Sequence, residues 1–222
     1  MNLLKKFLND ELHLDAEIYI EQFIKYETLL LDWNKKINLI SRKSTSIEDH
    51  ILNSIFFLTR YDISGIRSLV DIGTGGGFPG IPLKILYPDL EMVLLDSIRK
   101  KIIVVEDIAE QMNFKKIKVV CGRAEEISKT QEFRNKYDAV ISKAVAPLTE
   151  LFVWGRGLLN QKGKTLCIKG GDISEELSLL NKKKYNFNTE VINFEFPGSY
   201  GIEDKKLVII KRKSTDKFSK QF

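Results

Sequence analysis

The sequence predicts a doubly wound α/β sheet of seven strands, with the last strand antiparallel, preceded by a group of N-terminal helices. Three observations carry this. From residue 65 onward, short apolar β-rich runs alternate with helical patterns, as expected of a parallel sheet covered on both faces. The last two runs, Thr189–Phe196 and Lys206–Ile210, are joined by a loop around Pro197–Gly201 that is too short for a helical crossover, so they should pair antiparallel. A glycine-rich segment follows the first run directly, at the place where such sheets carry their ligand sites.

Size and composition agree with one well-packed unit. The chain has 222 residues, 43% of them hydrophobic and 29% charged, which excludes disorder, a collagen repeat and a membrane bundle. No apolar run approaches the roughly 20 residues of a spanning helix. Asp10 and Glu11 follow the opening apolar residues too soon for a signal peptide, so a cytoplasmic protein without a membrane partner is expected. Two cysteines, Cys121 and Cys167, make no disulfide framework, and two histidines, His13 and His50, make a metal site unexpected.

Residues 1–64 read as a helical extension. Asp15 can cap a helix that sets Ala16, Ile20, Phe23, Ile24, Leu30 and Leu31 on one face. Ser46 and Asp49 resemble a capping box ahead of Ile47, Ile51, Ile55 and Leu58. Residues 65–222 form the sheet domain, packed with the extension as one globular unit. Its first five strands are Ser68–Gly73, Met92–Asp96, Ile117–Cys121, Tyr137–Ile141 and Lys164–Ile168. Helices are expected over Ile81–Leu86, Lys101–Met112, Leu148–Leu159 and Ile173–Lys182.

The segment after the first strand reads Asp71-Ile-Gly73-Thr-Gly75-Gly76-Gly77-Phe78-Pro79-Gly80. Glycines there let the backbone turn tightly and approach a ligand where a Cβ would clash. Gly75, Gly77 and Gly80 match the spacing of a dinucleotide fingerprint. Pro79 and Pro82, however, delay the helix whose amides would wrap a pyrophosphate, and no second domain for a dehydrogenase substrate is expected. A loop that needs close approach but no diphosphate cradle suits S-adenosylmethionine better, with S-adenosylhomocysteine as product. Asp96 ends the second strand, where a carboxylate can accept hydrogen bonds from both ribose hydroxyls of an adenosine, or can cap the helix that follows. Backbone groups near Ala124 and the Glu125 carboxylate, after the third strand, are placed to meet the adenine.

The fourth strand leads into Ser142-Lys143-Ala144-Val145-Ala146-Pro147, which faces the acceptor. It lacks the Asn/Asp-Pro-Pro-Tyr signature used on exocyclic amines, and no Pro-Cys pair is present for attack on a pyrimidine ring. An acceptor with an exposed lone pair needs neither. A sulfonium methyl is already activated, and alignment alone can supply roughly 7–11 kcal/mol of a barrier.

At this point the motifs resemble the ribosomal RNA small-subunit methyltransferase G family (RsmG, also called GidB). The residues that carry the likeness are 71–83, Leu94–Ser97, Gly122–Glu126, Ile141–Ala144, Trp33–Leu39 and His50–Ser54, so it runs from about Trp33 to about Gly170. The resemblance implies a bacterial enzyme of the class I S-adenosylmethionine-dependent methyltransferase fold, acting on N7 of a guanosine in 16S rRNA. It places cofactor contacts on Gly73, Phe78, Ala124, Glu125 and Lys143, with Asp96 at the ribose, and basic acceptor-side positions on His50, Arg123, Lys143 and Lys169. Two positions depart from the family pattern: Lys143 stands where Arg is usual and Asn53 where Asp is usual.

The basic end fits either a polyanionic partner or a solvated terminus, and the resemblance implies that the partner is small-subunit rRNA or the small ribosomal subunit. The net charge is +5, and residues 205–222 hold seven basic side chains against one acidic. A monomer is expected. A small-molecule methyltransferase with the same pocket, a nicotinamide oxidoreductase and a non-enzymatic RNA-binding domain are the competing readings.

Overall fold

The computed structural model describes residues 1–41, 44–183 and 185–213. The basic tail singled out in the sequence, Lys211–Lys217, therefore lies outside the described residues beyond Lys213.

Helix α1 (Asn2–Asp10), α2 (Ile20–Asn34) and α3 (Glu48–Ile55) precede the sheet. Strands β1 (Ser68–Ile72), β2 (Glu91–Asp96), β3 (Ile117–Cys121), β4 (Tyr137–Lys143), β5 (Leu159–Gly170), β6 (Phe187–Phe194) and β7 (Lys205–Arg212) form one sheet in the order β3-β2-β1-β4-β5-β7-β6. The first five are parallel; β7 enters between β5 and β6 and is antiparallel to both. Between the strands lie α4 (Gly80–Leu86), α5 (Arg99–Gln111), α6 (Ala124–Ile127), α7 (Leu148–Gly155) and α8 (Ser174–Lys182).

Strand alternation divides the core between two faces. Leu69, Leu94, Ala139, Ile141, Leu166 and Ile209 pack with α1–α5 into one continuous core, so the N-terminal helices and the sheet share it. Val70, Ile72, Val93, Leu95 and Val140 face the other way, against Ala124, Leu158 and Leu159. Beyond them, Cys167, Val208 and Ile210 pack on α7 and α8 through Leu151, Phe152 and Leu180.

Several local expectations are corrected. Asp15 does cap, accepting from the Glu17 amide at 3.1 Å, but it caps a single 3-10 turn over Ala16–Ile18, and α2 starts only at Ile20. Ile24, assigned to the apolar face, is 47% exposed. Ser46 does cap α3, its hydroxyl accepting from the Glu48 amide at 3.1 Å, but the other half of the expected box comes from Glu27 on α2, which accepts from the Ser46 hydroxyl at 2.6 Å and the Ile47 amide at 2.9 Å. Helix α7 stops at Gly155, not Leu159, because Leu159 already pairs with Tyr137 as the start of β5.

Candidate active site

The carboxyl ends of β1, β2, β3 and β4 open onto a cavity of about 370 Å³. Its wall brings together Gly73, Asp96, Arg123, Ala124 and Glu125 from the sequence-derived set. It also contains Val145, from the segment after the fourth strand, and Trp154, which the sequence does not single out. Trp154 arrives from α7, the helix that folds back along the sheet, and no local pattern marks it.

The glycine loop is shaped by two different demands. Gly73 (φ +73°) and Gly77 (φ +104°) are required by packing as well as by conformation: a Cβ on Gly73 would meet Val145 at 2.7 Å, and one on Gly77 would meet Ile81 at 2.5 Å. Gly75 (φ +58°) differs, since its Cβ would meet nothing nearer than the Gly73 carbonyl at 3.9 Å. The space over Gly75 is free, as close approach of a ligand requires. The Gly75 amide donates to Asp96 Oδ2 at 3.1 Å, and the Ile98 amide donates to Oδ1 at 2.9 Å. Asp96 thus fastens the loop and the entry to α5 while lining the cavity, and each carboxylate oxygen has lone-pair capacity left for a hydroxyl donor.

Beneath the loop, Tyr26 on α2 is fully buried and donates to the Gly76 carbonyl at 2.8 Å. Left unpaired, that hydroxyl would cost about 1–3 kcal/mol. Asp71 Oδ2 accepts from the Gly80 amide at 2.9 Å, which joins β1 to α4. Burial pushes the Asp71 carboxyl up to about 7, against the pull of Thr74, the Gly80 amide and Lys143.

Phe78, His50 and Lys143 are brought together, but as a group apart from the cavity wall. The His50 ring stacks on Phe78 at 5.2 Å between centroids, and Lys143 Nζ lies 5.0 Å from the Phe78 centroid. Burial pulls the Lys143 ammonium down to about 8, opposed by Asp71 and reinforced by Lys205. Burial and the neighbouring Lys143 hold His50 below its ordinary value, so at neutral pH the ring is uncharged and contributes an aromatic face, not a cation. Among the described residues no group of three or more His, Cys, Asp or Glu side chains could hold a metal ion. No described helix is long and apolar enough to cross a membrane.

Lys169 is not an open, basic contact. It is 9% exposed, and its Nζ donates to the Ala146 carbonyl and to Glu176, both at 2.7 Å. The Leu148 amide donates to the same Glu176 oxygen at 2.8 Å. Lys169 therefore ties β5 and α8 to the turn between β4 and α7, which carries Val145 of the cavity wall. Replacing it with methionine should cost roughly 2 kcal/mol, because two bonds to a buried cation are lost and Glu176 keeps only Leu148. The check is the urea midpoint at unchanged slope, and an unaltered midpoint would show that the contact contributes nothing.

The strand order with its single antiparallel strand, and a cavity at the carboxyl ends of the parallel strands, define the class I S-adenosylmethionine-dependent methyltransferase fold. Solved structures agree on the architecture. The PH0226 protein from Pyrococcus horikoshii OT3 superposes with a TM-score of 0.58 at 14% identity, over 82% of this chain and 99% of its own. An O-methyltransferase from Bacillus cereus, solved in complex with SAH, gives 0.58 at 14% identity over 94% and 97%. The family described as rRNA small subunit methyltransferase G matches residues 19–200, and the chain belongs to it. Its relatives include the ribosomal RNA small subunit methyltransferase G of Clostridium novyi (strain NT), 40% identical over 72% of this chain and 67% of the relative. The protein of the same name from Clostridium botulinum (strain Loch Maree / Type A3) is 36% identical over 97% and 92%.

Proposed function

We propose that the protein transfers a methyl group from S-adenosylmethionine to N7 of a guanosine in small-subunit (16S) rRNA, in the cytoplasm. The observation that carries this reading is the open space over Gly75 beside the Asp96-lined cavity, in a chain of the rRNA small subunit methyltransferase G family.

The residues fit the cofactor. The cavity lies in the size range of small-ligand sites, and Gly75 offers the close approach such a ligand needs. S-adenosylmethionine supplies a methyl on a positively charged sulfur, already activated for transfer. Asp96 would hold the ribose through its hydroxyls, and Ala124 and Glu125 would hold the adenine end. Guanine N7 presents a free lone pair on the Hoogsteen edge, so no side chain need remove a proton, and the chain's task is alignment. Phe78, held between Tyr26 and His50, supplies a rigid aromatic surface, and Lys143 above it supplies a positive charge toward the RNA. Arg123, exposed at the cavity rim, adds a second.

The position of Lys143 sets a pH dependence. Below about 8 it is an ammonium, and above that value it is a neutral amine. The kcat/KM for rRNA should therefore fall as pH rises through about 8. Lys143→Arg, which stays charged throughout, should flatten that decline. A wild-type profile that stays level from about pH 7 to about pH 9 would remove Lys143 from the acceptor side.

The activity itself is tested with 16S rRNA from subunits that lack the modification, incubated with methyl-labelled S-adenosylmethionine. Label in the RNA, with a rate that falls steeply as salt is raised, is expected. Tight cofactor binding without label in RNA, together with transfer to small apolar acceptors, would instead give the pocket to a small-molecule methyltransferase.

A further inference from the structure

A second, larger cleft lies at the other end of the sheet. Its volume is about 830 Å³, against about 370 Å³ for the cofactor cavity, and Arg156, Lys162, Lys211, Arg212, Lys213 and Tyr185 line it. The topology explains why these cations meet. Strands β5 and β7 pair antiparallel with Lys164 opposite Lys211, so the end of β7 lies beside the beginning of β5. Helix α7 starts by the cavity wall and ends at that same edge, where Arg156 caps it.

All five cations are exposed. Among the described residues, the one ion pair they make joins Lys211 to Glu190 at 3.3 Å. Arg156 lies over the Tyr185 ring at 5.0 Å, and Tyr185 leans on Phe152 at 5.2 Å, so the floor of the cleft is fixed by packing. A neighbouring cavity of about 610 Å³ shares Lys162 and Arg212 and adds Arg67. Its one carboxylate, Asp138, is already occupied by the Arg67 and Ser68 amides and by Asn160.

We infer that this cleft is a second, distal docking site for the phosphodiester backbone of the RNA substrate. The inference rests on the rRNA reading above and adds to it a place of contact far from the chemistry. A surface with five cations and one local carboxylate partner fits a polyanion, because each phosphate contact releases condensed counterions. The stretch of β5 from Gly163 to Gly170 separates the cleft from the cofactor end by about 23 Å, at roughly 3.3 Å per residue. An RNA that touches both sites must span that distance, so contacts in the cleft come from nucleotides away from the methylated one.

The test compares wild type with Lys162→Gln/Arg212→Gln/Lys213→Gln, all at exposed positions, and with a control triple of equal charge loss, Lys6→Gln/Lys35→Gln/Lys115→Gln. Binding to naked 16S rRNA is measured from about 50 to about 200 mM salt, and S-adenosylmethionine affinity is measured in parallel. The cleft triple should lower the magnitude of the log–log salt slope by about 2 to 3, with unchanged cofactor affinity, while the control triple leaves the slope near wild type. Equal losses in both triples would mean diffuse charge and overturn the proposal, as would an unchanged slope in the cleft triple. A cleft triple that binds naked RNA normally but assembled subunits poorly would give the cleft to a protein surface and also overturn it. A wild-type enzyme that binds the RNA but transfers no methyl would remove the catalytic reading and leave the slope comparison valid.

Discussion

Gly75→Val should abolish S-adenosylmethionine binding, weakening it by at least about a hundredfold, or ~2.7 kcal/mol. The side chain would enter the one part of the glycine loop where the structure leaves room, since nothing lies within 3.9 Å of that Cβ position. The φ of +58° adds a conformational penalty for a β-branched residue of about 1–2 kcal/mol, which acts on stability and not on binding. Titration calorimetry on protein shown by thermal melting to be folded separates the two. A melting temperature a few degrees lower with no measurable binding is the expected pair of results. Wild-type affinity would mean that the free space over Gly75 is not where the cofactor approaches.

Asp96→Ala should be almost as severe, at about a hundredfold in cofactor affinity. Two charge-assisted bonds from ribose hydroxyls would be lost, each worth roughly 1.5–3 kcal/mol in favourable cases. The Gly75 and Ile98 amides would also lose their acceptor, so loss of affinity alone could report a loosened loop. A cofactor analogue lacking the 2′-hydroxyl resolves this. Wild type should bind the analogue more weakly than S-adenosylmethionine, and Asp96→Ala should show little difference between the two. If the variant discriminates as well as wild type does, Asp96 holds only the loop.

The physical character of each segment decided what the sequence revealed. Strands β1 to β4 were legible because each is a short apolar run ended by Asp, Gly or a charged residue. Strand β5 was read too short: Leu159 was assigned to the end of the preceding helix, but the register with β4 shifts between Tyr137 and Ala139 and draws Leu159 into the sheet. The pairing of β6 with β7 followed from their short connection, whereas the insertion of β7 between β5 and β6 did not. A cue was present in side-chain pattern: Leu207–Ile210 is apolar on both faces, as a central strand requires, while β6 alternates like an edge. Helix α6 has only four residues, too few for any periodicity.

The same logic divides the site. That Asp96, Ala124 and Glu125 share one cavity wall was legible because strand ends converge at one edge of this architecture. Gly75 was legible as a glycine, but its difference from Gly73 and Gly77 depends on what lies opposite each Cβ. Lys169 was misread because its partners, Ala146 and Glu176, come from separate elements and turn a basic residue into a buried clasp. Nor did sequence alone place His50 against Phe78 and Lys143, since α3 and β4 are distant along the chain.

The central claim is methyl transfer to one guanine N7 with no general base. It is tested most directly by digesting 16S rRNA labelled by the enzyme and S-adenosylmethionine, and locating the label by nucleotide and by atom. Label confined to N7 of a single guanosine is the result this account predicts. Label on an exocyclic amine, a ring carbon or a ribose hydroxyl would contradict it, because each of those acceptors requires a proton to be removed and the site offers alignment alone.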